Sequence, residues 1–222
     1  MKTLDAKKVW ASIAADISVK PYKGKRAFDI AAALAMCAVF APLAICAGTL
    51  VCRQSGRPVL FRHRRVGQGG RAFDVYKFRS MVKDAEARLE ALLATDAVVA
   101  KEWAETHKIK HDPRVTAVGR FLRKTSLDEL PQIINVLKGE MSLVGPRPVV
   151  EQELEKYGAS LPYYLSVKPG LTGLWQISGR SDLAYSKRVA LDVEYARTQS
   201  FWKDVAIVLK TAKVLFKDRS AY

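Results

Sequence analysis

Cysteine and histidine are scarce, with three of each among 222 residues. Cys37, Cys46 and Cys52 fall in one apolar stretch and in no metal-ligand spacing. That excludes a disulfide framework and a zinc site, and it points to a reducing compartment in which these residues are small buried hydrophobes. His63, His107 and His111 lie among basic and loop-like residues and read as surface positions. Acidic side chains are also in deficit, 22 against 37 Lys and Arg, which leaves a formal charge of +15. Such an excess calls for an anionic partner: nucleic acid, a membrane surface or a phosphorylated substrate. No groove-reading helix or base-stacking motif accompanies the charge, so nucleic acid is not expected. Gly67-Gln68-Gly69-Gly70 lacks the spacing and strand-to-helix setting of a dinucleotide fingerprint and reads as a turn. Internal repeats and low-complexity segments are absent, and no small-residue cleavage site follows an early apolar run, which disfavours a secretory signal.

The length suits one catalytic domain with an appended membrane element. Residues 1–20 set Val9, Trp10, Ile13 and Ile17 at helical spacing against Lys2, Lys7, Lys8 and Asp16. The pattern fits an amphipathic segment lying on a membrane or packed on the domain. Residues 21–55 hold an almost unbroken apolar run from Ile30 to Cys52, which at ~1.5 Å per residue would reach ~35 Å. Pro42 near its centre removes a backbone hydrogen bond, which predicts a break or sharp bend into two short halves. Both flanks are basic: Lys20, Lys23, Lys25 and Arg26 before the run, and Arg53, Arg57, Arg62, Arg64 and Arg65 after it. Each flank prefers the cytoplasmic side, and a re-entrant hairpin satisfies both; a straight span or a soluble core helix are the alternatives. Arg26 and Asp29 are spaced to pair at the segment's start.

The expected fold class is helix-dominated α+β, with residues 56–222 forming the catalytic domain. Pro58 to Arg64 and Phe73 to Phe78 read as a β-hairpin, and Ser80 as the cap of the next helix. Val82 to His107 carries an apolar stripe with an interruption near Thr95-Asp96. A turn at Asp112-Pro113-Arg114 leads into a short basic helix with Arg120, Arg123 and Lys124. Glu151 to Tyr164 begins helical and ends at Pro162, Val167 to Gly173 is loop, and Trp175 to Ile177 reads as a short strand. A last helix spans about Ala184 to Phe216, with Trp202, Val205, Leu209, Ala212 and Phe216 on an apolar face beside Lys203, Lys210 and Lys217. That face suits an interface with lipid or ordinary core packing.

The chemistry concentrates in Thr125-Ser126-Leu127-Asp128-Glu129-Leu130-Pro131-Gln132 and in Gly145-Pro146-Arg147-Pro148. Pro131 belongs in a first helical turn, so a helix starting near Ser126 to Asp128 would carry both acids at its N-terminus. There the helix dipole favours carboxylate and phosphate alike. Ser126-Leu127-Asp128-Glu129 also matches a capping box, in which Glu129 merely closes the turn. Arg114, Arg123 and Arg147 flank the acids, and Lys77 and Arg79 can be brought in from the hairpin. Such a cluster needs either simple ion pairing or a polyanionic ligand. A carboxylate attacks phosphorus when the phosphoryl oxygens are neutralised by guanidinium groups and a divalent cation. Magnesium takes few protein carboxylates together with phosphate oxygens, so Asp128 and Glu129 suffice as its protein ligands.

The runs Lys77-Phe78-Arg79-Ser80-Met81, Asp112-Pro113-Arg114-Val115-Thr116, Arg123 to Gln132, Asn135 to Pro148, Lys168 to Gly173 and Ser178-Gly179-Arg180 resemble, in order, the bacterial sugar transferase family, the monotopic phosphoglycosyl transferases. The resemblance covers about residues 20–220. It implies a re-entrant membrane helix, a catalytic domain on the cytoplasmic face of the bacterial inner membrane, Mg2+, and transfer of a sugar 1-phosphate from a UDP-sugar to undecaprenyl phosphate. On it, Asp128 corresponds to the nucleophile and Glu129 to its partner at the metal. Lys77, Arg79, Arg114 and Arg147 match basic positions around the phosphates, and Asp192 and Arg180 match supporting positions. A pair with Arg188 is the plainer role for Asp192. A small polar residue often precedes the membrane proline in this family; here Ala41 does. Gly173 to Arg180 looks more like the hexose-1-phosphate enzymes of exopolysaccharide and O-antigen assembly, which favours glucose or galactose. The sequence allows a homodimer, and a non-catalytic membrane scaffold for polysaccharide assembly is the rival function.

Overall fold

A computed structural model describes residues 19–106, 109–110, 112–179 and 183–217, without the side chains of 105–106 and 214–217. Nearly all of the amphipathic segment 1–20, together with His107, His111 and Arg180, lies outside the described residues. The first element is α1, Lys25–Ser55, a 31-residue helix. At ~1.5 Å per residue it is about 46 Å long if straight. Helical backbone runs through Pro42, so the segment is one helix and is not broken into two separate halves. By length and composition α1 is apolar enough to cross a membrane.

One side of α1 packs on the domain, and among the described residues much of the rest is exposed. Lys25, Asp29, Ala33, Ala47 and Val51 are buried, and their spacings of four, four, fourteen and four keep them on one side of a 3.6-residue helix. Ile30, Leu34 and Ile45 are exposed on the other side, and in the middle turns the exposure reaches round through Val39 and Leu50 to Leu43, five whole turns from Lys25. The cysteines are not buried as expected: Cys46 is exposed, and Cys37 and Cys52 are half-buried free thiols. Arg26 and Asp29 do not pair either. Asp29 accepts from Ser142 Oγ at 2.9 Å and the Leu143 N–H at 3.1 Å, while Arg26 reaches the carbonyls of Val136 and Leu137.

The hairpin forms as read: β1, Leu60–Val66, and β2, Ala72–Phe78, are antiparallel with Val66 opposite Ala72. Ser80 caps nothing, because the following helix α2 starts at Ala85; its hydroxyl accepts from Arg123 Nε at 2.9 Å. Helices α2, Ala85–Thr95, and α3, Ala97–Thr106, meet at Asp96, at the expected interruption. The short basic helix is α4, Ala117–Lys124, capped by Thr116, whose hydroxyl accepts the Gly119 N–H.

After the acid-bearing turn comes α5, Gln132–Lys138, and then β3, Ser142–Val144. The stretch expected as loop supplies β4, Gly170–Thr172, which pairs in parallel with β3. A Cβ on Gly145 would overlap the Lys168 carbonyl, and one on Gly170 would overlap Gly145, so the contact between the two glycine motifs requires glycine on both sides. Residues 151–160 form a 3-10 segment, and Pro162 sits in the first turn of α6, Leu161–Ser166, where it starts a helix rather than ending one. Trp175 lies in the one-turn helix α7, Leu174–Ile177, not in a strand.

The expected last helix is two: α8, Tyr185–Thr198, and α9, Phe201–Lys217. Between them Ser200 accepts the Lys203 N–H on its hydroxyl and restarts the helix. The outer face of α9 is the apolar one. Trp202 is 76% and Leu209 66% exposed, whereas Asp204 and Ile207 point inward. The largest core joins Ala33 of α1 to Phe73, Val75, Ile133, Val136, Met141, Leu143, Tyr195 and Ile207.

Candidate active site

Asp128 and Glu129 lie in a 3-10 turn, Leu127–Glu129, that precedes α5 rather than opening it; Pro131 is the junction. Ser126 has φ 57°, and it is the one non-glycine residue with positive φ among the described residues. In that left-handed conformation its side chain forms no cap. Glu129 is instead engaged by Lys77, whose Nζ donates to Oε1 at 2.6 Å. The capping-box role is therefore unfilled, and a left-handed serine at the head of the acid turn is a strained position of the kind that functional sites retain.

Asp128 is 8% exposed. Among the described residues no cation pairs with it directly. Burial pushes its carboxyl up to about 6 and the neighbouring Glu129 adds to the rise, while the charges of Lys77 and Arg123 act against it. Such a carboxylate is more basic than an exposed one yet ionised at neutral pH, which suits a nucleophile.

The turn is held from three directions. Leu127 and Leu130 pack against a core of Ala47, Val51, Phe78 and Leu122. Asn135, fully buried, donates to the Asp74 carbonyl at 2.7 Å and accepts the Tyr76 N–H at 3.1 Å. This ties α5 to β2 and sets Lys77 opposite Glu129. Arg123, anchored on Ser80, brings a third charge close.

The four predicted basic residues divide. Lys77 is on the acid pair. Arg79 is half-buried, and its Nη1 is buried with no hydrogen-bond partner, a donor in search of an acceptor. Arg147 is exposed at the Pro146-Arg147-Pro148 turn, with its guanidinium 5.8 Å from the Trp175 ring centre. Arg114 is differently placed. It is buried, its Nε and Nη2 are engaged by Asp112 at 2.7 to 3.1 Å, and it lies 5.4 Å from the Trp103 ring centre.

Two residues that the sequence reading left aside belong to the same face. In the hairpin register Phe61, His63 and Arg65 stand beside Lys77, Val75 and Phe73, and paired residues share a face of the ribbon. Arg65 points a nitrogen at His63 Nδ1, 3.3 Å away, and reaches Glu153 at 3.5 Å. Because a guanidinium only donates, Nδ1 is the acceptor and the ring proton sits on Nε2. His63 is half-buried, not a surface residue. Burial and the charges of Arg65, Lys77 and Arg147 push it down to about 4, so it is neutral at pH 7. Strand alternation is the signal that could have found both.

Asp192 lies in a cleft lined by Arg147, Glu153, Tyr157, Trp175, Tyr185 and Arg188. It accepts from Tyr157 Oη at 2.7 Å, whereas the sequence pointed to Arg188, which acts on it through its charge. Burial raises Asp192 to about 7, opposed by the Tyr157 hydrogen bond and the two arginines. Trp175 Nε1 and Tyr185 Oη are buried in the same region without partners.

No group of three or more His, Cys, Asp or Glu suited to a metal occurs among the described residues. The Asp128-Glu129 pair fits magnesium only as a site completed by phosphate oxygens and water. The described site thus combines a buried carboxylate with no direct cation, a lysine-bound acid beside it and nearby guanidinium groups.

The chain belongs to the bacterial sugar transferase family, which matches residues 21–218. Over 198 residues it is 52% identical to the undecaprenyl-phosphate galactose phosphotransferase of Salmonella typhimurium, covering 89% of this chain and 41% of that protein. It is 46% identical over 207 residues to the exopolysaccharide production protein ExoY of Rhizobium meliloti, covering 92% of both. It is also 39% identical over 206 residues to the UDP-glucose:undecaprenyl-phosphate glucose-1-phosphate transferase of Caulobacter vibrioides, covering 89% of this chain and 72% of the relative. The chain thus spans about two fifths of the Salmonella protein and nearly all of the Rhizobium one.

Proposed function

We propose that this protein transfers a hexose 1-phosphate, from UDP-glucose or UDP-galactose, to undecaprenyl phosphate as the first membrane step of exopolysaccharide or O-antigen assembly. The observation that carries this is Asp128: a buried carboxylate of raised basicity with no direct cation, set beside the Lys77-Glu129 pair. Asp128 attacks the β-phosphorus of the UDP-sugar. The bond from that phosphorus to the bridging oxygen breaks, UMP leaves with the electron pair, and a sugar-phosphoryl aspartate forms. A phosphate oxygen of undecaprenyl phosphate then attacks the same phosphorus, which releases the Asp128 carboxylate and the diphosphate-linked lipid. Neither step needs a proton, and the anomeric carbon keeps its configuration because every broken bond is at phosphorus.

Glu129 and Asp128 would hold Mg2+, which when bound neutralises the phosphoryl oxygens. Lys77 holds Glu129 oriented through their 2.6 Å pair. Arg79 and Arg147 bind phosphate oxygens, and neutral His63 offers its Nε2–H within the same cationic face. Arg114, fixed on Asp112, supports the turn that leads to α4.

The membrane reading is supported by where α1 ends. Its first turns dock on β3, α5 and α9 and its last turns on β2 and α4. A helix with both ends on one domain cannot deliver them to opposite sides of a bilayer, so we place α1 as re-entrant from the cytoplasmic face. Its exposed apolar side and the outer face of α9 would then sit in lipid. The test of function is UMP release from a panel of UDP-sugars, with and without undecaprenyl phosphate and Mg2+. Release from UDP-glucose or UDP-galactose that needs Mg2+ supports the reading. No release from any UDP-sugar leaves the scaffold role.

A further inference from the structure

The apolar helix α1 touches the acid-bearing segment at both ends. At its start, Arg26 donates from Nη1 to the Val136 carbonyl at 2.6 Å and from Nη2 to the Leu137 carbonyl at 2.7 Å. Both carbonyls lie in the last turn of α5, at the end where a cation is favoured; that of Val136 also accepts the Gly139 N–H at 3.0 Å. The chain turns away at Gly139 in a left-handed conformation, and a Cβ there would meet Arg26 Nη2 at 3.4 Å. That is ordinary contact, and it is the φ of 82° at this turn that favours glycine. At its far end, Ala47 and Val51 of α1 belong to the cluster that also takes in Leu127 and Leu130, the residues on either side of Asp128 and Glu129. Lys25 and Asp29 are locked into a separate buried network with Asp204 and Ser142, so the base of Arg26 is itself fixed to the domain.

We infer that Arg26 is a positioning residue for the acid pair: by gripping the C-terminal carbonyls of α5 while the other half of α1 packs on Leu127 and Leu130, it makes the apolar helix set the position of Asp128. The inference rests on the reaction proposed above. It makes α1 part of the catalytic scaffold as well as an anchor. A guanidinium is needed because its planar fork spans two successive carbonyls, whereas an ammonium on a flexible stem meets one.

The test uses the full chain in phospholipid vesicles containing undecaprenyl phosphate, comparing the wild type with Arg26→Lys and Arg26→Met. UMP release by the wild type checks the reaction; the ratio of each variant to it checks Arg26. Arg26→Met should lower kcat by about 10- to 100-fold, the scale of a misplaced reacting group, with KM within about threefold. Rates are expressed per folded molecule, with the folded fraction taken from near-UV circular dichroism. Arg26→Lys should recover part of kcat. Should Arg26→Met not fold, the same comparison is made on Arg26→Lys. A kcat within about twofold of wild type in the folded variants overturns the inference. So does a rate loss that disappears once rates are expressed per folded molecule.

Discussion

Of the places where this molecule buries aspartate, two treat it in opposite ways. At the junction of α1 with the domain, Asp204 is fully buried and accepts from Lys25, Tyr22 and Tyr195, while Asp29 accepts from Ser142 and the Leu143 amide. Four donor side chains and one N–H serve two carboxylates. At the acid turn Asp128 is almost as buried, yet among the described residues no cation pairs with it. The single lysine nearby is spent on Glu129. A carboxylate surrounded by donors is scaffold, because its lone pairs are used. A carboxylate left basic and unpaired is available to react, and its desolvation is a cost that the rest of the fold must offset.

The sharpest break of this contrast is isosteric. Asp128→Asn should lower UMP release by about 10⁴-fold or more, since an amide cannot attack phosphorus; an active variant would remove the distinction. At the other site, Lys25→Met leaves Asp204 and Asp29 without their cation and should cost about 3–5 kcal/mol of unfolding free energy, measured by denaturant titration in detergent. Next comes stability at the turn. The folded carboxyl of Asp128 is raised by burial to about 6, above the ordinary aspartate range, so its contribution to stability is full below the unfolded value and lost as pH rises through 6. Asp128→Asn should therefore raise the thermal midpoint at pH 7.5, by up to about 3 kcal/mol in free energy. That gain should vanish below about pH 4. The smallest effect is in the pH profile: kcat/KM should fall about tenfold per unit once pH drops below 6, and Lys77→Met should shift that limb upward by removing a charge that opposes the rise.

Local chemistry made much of this legible. The Gly67 to Gly70 turn marked the hairpin, the Asp96 interruption marked a helix pair, and Asp128 with Glu129 stood out among basic residues. What stayed hidden was long-range. Lys77 and Glu129 are 52 positions apart, and their pairing replaced a capping box that every local rule supported. The parallel contact of Ser142–Val144 with Gly170–Thr172 turned an expected loop into a strand and an expected strand at Trp175 into a helix. Pro42 was expected to break or sharply bend α1 because it removes one hydrogen bond; helical backbone continues through it, with packed turns on both sides. The division between α8 and α9 was available locally, since Ser200 before Phe201 is an N-cap signal, but the apolar spacing on α9 masked it. Arg26 and Asp29 looked like partners at helical spacing, and each found a better partner across the fold.

The central claim is that Asp128 becomes covalently bound to the sugar phosphate. The most direct measurement is mass spectrometry of the peptide containing Asp128 after incubation with Mg2+ and UDP-hexose, before any undecaprenyl phosphate is added. The account predicts a hexose-phosphate adduct on Asp128, formed together with UMP and discharged when the lipid acceptor is supplied. Release of UMP only in the presence of undecaprenyl phosphate, with no adduct on that peptide, would contradict it.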